Sequence, residues 1–230
     1  MIGHGANHSI FTAIALGKSD VVRQLVEEDP IALRQRMSRC ELFRSPIEFA
    51  TKRRQFEIAR LLVELGSEVS LSEAAGLGMV ELVASRLGES TNLGNLNLAV
   101  QASVMAGQIE TTRQLLEHGA DPNFSPQGTS LIFEAIGTND KPMAQLLIES
   151  GAGLEFKDRQ WNSTALGWQV FFGRVDATKL AIELGSVIAP KRIELAQAGE
   201  RGELRRWSTG TSPEFRRVFE ILKAAKVCQT

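Results

Sequence analysis

The stretch 107–123 constrains this chain most, because it has the pattern of a short helix closed by a glycine and a tight turn. After Gly107, small or apolar side chains recur at Ile109, Thr112, Leu115 and Leu116. That spacing places one buried stripe on a helix of about three turns. Gly119 suits a left-handed helix C-cap, and the Ala-Asp-Pro-Asn sequence that follows favours a turn. A helix this short cannot bury its stripe alone, so the chain must supply neighbours built in the same way.

Five further copies of this unit lie along the chain and predict its architecture. In each copy a glycine, or a residue standing in for it, precedes the stripe. These turn positions are Gly17, Arg54, Gly78, Gly107, Asn139 and Gly173. Successive turn positions are 37, 24, 29, 32 and 34 residues apart, which scatters around the roughly 33-residue period of one class of helical repeat. A second short segment with small residues precedes each turn, so each unit is predicted to be a helix–turn–helix.

The unit resembles the ankyrin repeat. That family carries Thr-Pro-Leu-His-x-Ala in its first helix and Leu-Leu-x-x-Gly-Ala-Asp after its second. Here residues 45–50 read Ser-Pro-Ile-Glu-Phe-Ala, and residues 115–123 read Leu-Leu-Glu-His-Gly-Ala-Asp-Pro-Asn. Weaker matches lie at 130–135, 147–152 and 164–169. The resemblance covers about residues 8–207 and is to degenerate repeats of the bacterial type. The family's first-helix histidine is absent from every copy.

The resemblance implies an all-α ankyrin-repeat solenoid of about seven helix–turn–helix repeats with short hairpin fingers. We expect residues 1–230 to form a single ankyrin-repeat domain with its repeats over about 8–207. A C-terminal capping helix is expected over 213–225, because terminal repeats need a polar outer face. The apolar side of that helix is formed by Phe215, Val218, Phe219 and Leu222.

The connections and the core carry further expectations. Composition predicts a loop over 88–95. The best-formed fingers are expected at 121–128 and 155–162. Leu116, in the most complete stripe, is expected to be a buried core residue.

The motifs and the charge argue against catalysis. The formal net charge of −1 gives no general attraction to nucleic acid. The sequence Gly-Lys-Ser at 17–19 resembles the end of a phosphate-binding loop, but a helix rather than a strand precedes it. The histidines, His4, His8 and His118, stand in no metal-binding or catalytic motif. We therefore expect no enzyme activity, no metal and no cofactor.

The cellular location is predicted from the termini, the hydropathy and the cysteines. The N-terminus lacks the pattern of a signal peptide, and no apolar run approaches the ~18 residues of a membrane span. In an extended solenoid Cys40 and Cys228 lie too far apart for a disulfide, so both are predicted to be free thiols in a reducing compartment. The expectation is a cytoplasmic monomer with no membrane partner.

Aromatic residues are the strongest candidates for binding. Phe171 and Phe172 directly precede the turn at Gly173, at the end of an inner helix that faces the concave groove in ankyrin repeats. Trp161 lies near a finger tip on the same face. Large aromatic side chains on an exposed face commonly anchor a binding surface. The alternative, that Phe171 and Phe172 are core residues beneath neighbouring fingers, stays open.

Other residues of the same face complete the predicted site. Met105, Lys52 and Arg53 occupy corresponding inner-helix ends, and Arg159 and Gln127 lie on fingers. The basic segment 34–54 is either a patch for an acidic partner or nucleic acid, or a solvated connector. The expected function is a non-catalytic protein-binding scaffold that holds another protein on its concave face. The alternative is a regulatory or targeting subunit that binds and controls a separate catalytic chain.

Overall fold

A computed structural model describes residues 9–37, 44–87, 92–125 and 128–228. This part of the chain contains fourteen α-helices and no strand. The first four repeats are formed by α1 (Ile10–Ala15), α2 (Ser19–Glu28), α3 (Pro46–Lys52), α4 (Phe56–Glu64), α5 (Leu71–Gly76), α6 (Val80–Leu87), α7 (Leu93–Met105) and α8 (Ile109–Glu117). The last three are formed by α9 (Leu131–Gly137), α10 (Lys141–Glu149), α11 (Ala165–Phe171), α12 (Val175–Glu183), α13 (Pro190–Glu200) and α14 (Ser212–Cys228). A 3-10 turn, Pro30–Arg34, follows α2.

The six predicted turn positions are confirmed as the places where the chain reverses between paired helices. Each has a positive φ, between +58° and +71°. Glycine adopts this left-handed region without a Cβ penalty, and asparagine tolerates it better than most residues. Arg54 takes the same conformation with φ +59°. Gly202 repeats the feature after α13 with φ +82°, which marks the seventh unit.

The helix pairs stack in two layers. First helices pack on first helices (α1 on α3, α5 on α7, α7 on α9, α9 on α11, and α11 on α13), and second helices pack on second helices (α2 on α4, α6 on α8, α8 on α10, and α12 on α14). Small side chains allow the close approach of the first helices, and Ala50, Ala74 and Ala135 are fully buried there. The result is the predicted all-α solenoid of about seven repeats.

The predicted loop over 88–95 is wrong at its C-terminal end, because α7 begins at Leu93. Asn92 caps this helix by accepting a hydrogen bond from the Asn95 N–H at 2.9 Å. Leu96 and Val100 are buried in the contact with α5. Capping and tertiary packing thus outweigh the loop-like composition of this segment.

The stripe of α8 is buried at two of its four predicted positions, and Ile109 at its start is only half-buried. Leu115 is fully buried as predicted, whereas Leu116 is only half-buried at the edge of the core. Thr112 is also buried, and its hydroxyl donates to the Gln108 carbonyl oxygen at 2.8 Å. Thr111 Oγ1 donates to the Ala75 carbonyl oxygen of the neighbouring repeat at 2.9 Å.

The C-terminal helix α14 packs on α13 and α12. Phe215, Val218 and Leu222 are buried as the predicted apolar side requires, and Phe219 is half-buried. A Cβ at Gly199 of α13 would overlap the Phe215 ring, so glycine is what lets these two helices come together. The extent of the domain, 1–230, and the capping role of 213–225 stay predictions.

Candidate protein-binding surface

Helix α11 presents three aromatic side chains on one face. Thr164 begins the helix by accepting a hydrogen bond from the Gly167 N–H at 3.2 Å. Gly173, with φ +67°, ends it. Trp168, Phe171 and Phe172 lie at positions i, i+3 and i+4, which are neighbours on a helix surface. The sequence therefore places three rings together before any tertiary contact is made.

These rings join two others to form what we call the aromatic cluster: Phe133, Trp161, Trp168, Phe171 and Phe172. Trp168 lies at its centre. Its ring stacks on Phe172 with centroids 5.6 Å apart and meets Phe171 edge to face at 5.6 Å. Phe133 of α9 and Trp161 of the finger each meet Trp168 edge to face at 6.4 Å. Such pairs add about 0.5–1.5 kcal/mol each beyond their burial.

The cluster is neither core nor freely exposed. Trp161 is 66% exposed, and the other four rings are half-buried. An open depression of about 250 Å³ lies against Phe133, Trp161, Trp168 and Phe172. Phe171 and Phe172 therefore occupy an intermediate position between the two alternatives that the sequence leaves open, and their part in binding stays a prediction.

The finger that carries Trp161 is organised by one carboxylate. The Asp158 N–H donates to the Ser163 carbonyl oxygen at 3.0 Å and closes the loop. Asp158 Oδ1 accepts from the backbone N–H groups of Gln160 at 2.9 Å and Trp161 at 2.6 Å. Asp158 Oδ2 accepts from the Ser163 N–H at 3.0 Å and from Trp168 Nε1 at 2.9 Å. The same carboxylate thus holds the backbone of one tryptophan and the indole of the other.

These hydrogen bonds decide the ionisation of Asp158. Its burial alone would raise the pKa, but the bonds donated by Trp161, Ser163, Trp168 and Gln160 all favour the charged form. They prevail, and the pKa of Asp158 lies below its ordinary value. The finger is therefore built around an ionised carboxylate at neutral pH.

A cation covers one edge of the cluster. The Arg174 guanidinium lies over the Phe172 ring, 5.0 Å from its centroid, and donates to the Gly137 carbonyl oxygen at 3.4 Å. Burial raises the pKa of the nearby Glu134 carboxyl, and Arg174 partly offsets that effect. Exposed Lys157 and Arg159 add positive charge on the finger.

The remaining predicted binding residues do not join this cluster. Met105 is 63% exposed at the end of α7. Lys52 and Arg53 are exposed at the end of α3, and the Arg53 guanidinium lies over the Phe49 ring at 5.5 Å. Gln127 lies outside the described residues, as does Cys40.

Sequence reasoning missed the centre of the cluster. Trp168 could have been predicted from the sequence, because it lies three and four residues before Phe171 and Phe172, and residues at those spacings share a helix face. Phe133 was less accessible, since its contact with Trp168 joins two different repeats. Aligning the two repeats on their turns at Asn139 and Gly173 would place the helices that carry Phe133 and Trp168 side by side.

The described residues contain no group of three or more His, Cys, Asp or Glu side chains placed to hold a metal ion. Within the same ranges, none of the helices combines the length and the apolar character that crossing a bilayer requires.

Comparison with known proteins supports the fold. No family model matches the chain. The structure is similar to the ankyrin repeat domain of Bcl-3, described as a unique member of the IkappaB protein family. The TM-score is 0.51 at 21% identity, over 96% of this chain and 100% of that one. The sequence is similar to the Ankyrin repeat and KH domain-containing protein mask-1 of Caenorhabditis elegans, at 23% identity over 150 residues. That match covers 62% of this chain and only 6% of the relative.

The chain therefore has the ankyrin-repeat fold that its sequence predicts. This fold generally mediates protein–protein interaction and is typically a non-catalytic binding module. Fold alone does not define a partner, so the function must be argued from the surface.

Proposed function

We propose that the chain is a non-catalytic protein-binding scaffold whose partner docks on the aromatic cluster. The observation that carries this proposal is the exposure of Trp161 beside four half-buried rings on two successive first helices and their finger. A few hot-spot residues, among which tryptophan, tyrosine and arginine are enriched, carry most of the binding energy at protein interfaces, and they act best where a rim excludes water. The four half-buried rings around Trp161 would form such a rim.

The regulatory or targeting role is the second candidate, and it would use the same surface. The two roles differ in the partner, which in the second case is an enzyme whose rate changes on binding. Monomeric state and action in the cytoplasm also stay predictions from the sequence.

Affinity capture from a lysate of the native host, with quantitative mass spectrometry, tests the proposal. Trp161→Ala should weaken capture of the specific partner by tenfold or more, since hot-spot truncations cost about 2 kcal/mol or more. Trp207→Ala is the matched control, because Trp207 is equally exposed at 66% and lies outside the aromatic cluster. Equal capture by both variants and the wild type would refute the proposed surface.

A further inference from the structure

The Arg192 side chain is the most unusual charged group near the aromatic cluster. It belongs to α13, is only 9% exposed, and lies against α11. Across the described part of the chain, no group accepts a hydrogen bond from its guanidinium and no carboxylate forms an ion pair with it. The residue is largely covered, yet its guanidinium nitrogens are not among the buried atoms that lack a partner, so the charged end of the side chain stays within reach of a ligand from outside.

The Arg192 guanidinium and the Ser163 hydroxyl both lie next to Gly167 of α11. A Cβ built on Gly167 would overlap both the Arg192 guanidinium and Ser163 Oγ. The two groups therefore lie side by side, and glycine is the residue that leaves room for them. Ser163 Oγ also has no hydrogen-bond partner within the described ranges. A planar donor fork and a hydroxyl donor thus lie together without a hydrogen-bond partner from the described part of the protein.

The local acidic groups are already engaged. Glu155 acts on Arg192 electrostatically without forming an ion pair, and its Oε1 accepts from the Val187 N–H at 2.8 Å. Both oxygens of Asp158 accept two hydrogen bonds each. Burial lowers the pKa of Arg192, and Glu155 opposes this. No carboxylate of the described chain therefore neutralises Arg192 directly.

The Arg192–Ser163 pair is connected to the aromatic cluster through the finger and α11. Ser163 follows Trp161 by two residues, and its N–H shares the Asp158 carboxylate with the Trp168 indole. Gly167 directly precedes Trp168. Exposed Lys157 and Arg159 on the same finger give the surroundings a positive charge. A partner seated on Trp161 and Trp168 would therefore meet an unpaired cation at the next repeat.

We propose that Arg192 and Ser163 form a carboxylate-binding subsite that takes an aspartate or glutamate side chain of the partner protein. The planar guanidinium matches a carboxylate through two parallel N–H donors, and the Ser163 hydroxyl supplies a third. The partner segment is thus acidic, with an apolar side chain for the aromatic cluster next to its carboxylate. This inference rests on the proposed function and adds the chemistry of the partner to it.

Selection of random-sequence peptides on the immobilised chain tests the subsite. The peptides selected by phage display, made with a fluorescent label, serve as the probes in polarisation titrations. They should carry Asp or Glu beside an apolar residue. Changing that acid to its amide should weaken binding to the wild type by about tenfold or more, as the loss of a charge-assisted hydrogen bond does.

Two variants assign the effect to the subsite. For the Arg192→Met variant, changing the acid of the peptide to its amide should have little effect on peptide affinity, because the cation that binds the carboxylate is gone. On Lys191→Met, which removes an exposed neighbouring charge, the full effect should persist. Arg192→Lys keeps the charge but loses the planar fork, and it should bind several-fold more weakly than the wild type. Ser163→Ala supplies a separate test in case the Arg192 variants do not fold, as judged by thermal melts.

The outcomes separate the two proposals. Peptides that need Trp161 but no acid, or equal effects of Arg192→Met and Lys191→Met, overturn the carboxylate subsite and leave the binding surface intact. Selected peptides that ignore Trp161→Ala overturn the proposed surface and the subsite together. A thermal melt of Arg192→Met also distinguishes a purely structural role, which predicts lost stability with unchanged peptide affinity.

Discussion

Replacing Asp158 by asparagine should destabilise the finger and the aromatic cluster together. In Asp158→Asn the amide oxygen of the new side chain can accept the bonds from Gln160 and Trp161. Its NH₂ group then faces the Ser163 N–H and Trp168 Nε1, which are both donors. The side chain therefore loses two of the four hydrogen bonds, and the indole of half-buried Trp168 loses its partner.

The expected cost at pH 7 is about 2–4 kcal/mol. A hydrogen bond to a charged group contributes about 1.5–3 kcal/mol net, and two such bonds are lost. Water can reach the exposed backbone of the finger, which places the estimate below the full sum. Unfolding in urea, followed by tryptophan emission, measures the change, because two of the three tryptophans lie in the cluster.

The deficit of Asp158→Asn should depend on pH in a defined direction. The pKa of Asp158 is lowered in the folded state, so its stabilising effect is fully present above the unfolded aspartate pKa of about 3.9. That effect is lost as the pH falls below this value and through the folded pKa. The difference between the wild type and the variant should therefore stay constant from neutral pH down to about pH 5 and shrink below pH 4.

Asp176→Asn is the matched control. Asp176 is exposed in the first turn of α12, and its carboxylate lies 3.9 Å from Lys179 Nζ. Surface pairs of this kind contribute about 0–1 kcal/mol. If Asp158→Asn were as stable as Asp176→Asn at pH 7, the hydrogen-bond network of the finger would not exist as described.

Two further predictions concern packing. Leu115→Ala should cost about 2–5 kcal/mol as a cavity in the core, whereas Leu116→Ala, at a half-buried position, should cost clearly less in the same urea melts. Gly199→Ala should destabilise by about 1–3 kcal/mol through overpacking against the Phe215 ring, as thermal melts can show. Gly76→Ala is its control, because the new Cβ would make ordinary contacts of 3.5 Å or more. Equal melting temperatures for the two alanine variants would contradict the close approach of α13 and α14.

The sequence predicts the turns best, because their chemistry is local. A residue that reverses the chain between two short helices needs a positive φ, and glycine or asparagine supplies it at five of the six positions. Arg54 is recognised only through the stripe that follows it. By contrast, the start of α7 depends on packing against α5 as well as on the Asn92 cap. No local pattern reports that contact, and the segment 92–95 resembles a loop in composition.

The candidate site is less predictable because it forms between repeats. Phe171 and Phe172 are found from their place before a turn, but the rings they contact depend on neighbouring helices. Arg192 lies in the seventh unit, 25 residues beyond Gly167. Its burial depends on how α13 packs on α11, which no periodicity in the sequence shows.

The Asp158 network links the shape of the aromatic cluster to the fold of the finger. The backbone N–H of Trp161 and the indole of Trp168 are fixed by opposite oxygens of one carboxylate. The two indoles therefore hold their near-perpendicular arrangement, with an interplanar angle of 88°, only while the finger is closed. A partner that binds both rings meets a surface ordered in advance, so less ordering entropy opposes its binding. By linkage, the same partner must stabilise the closed finger.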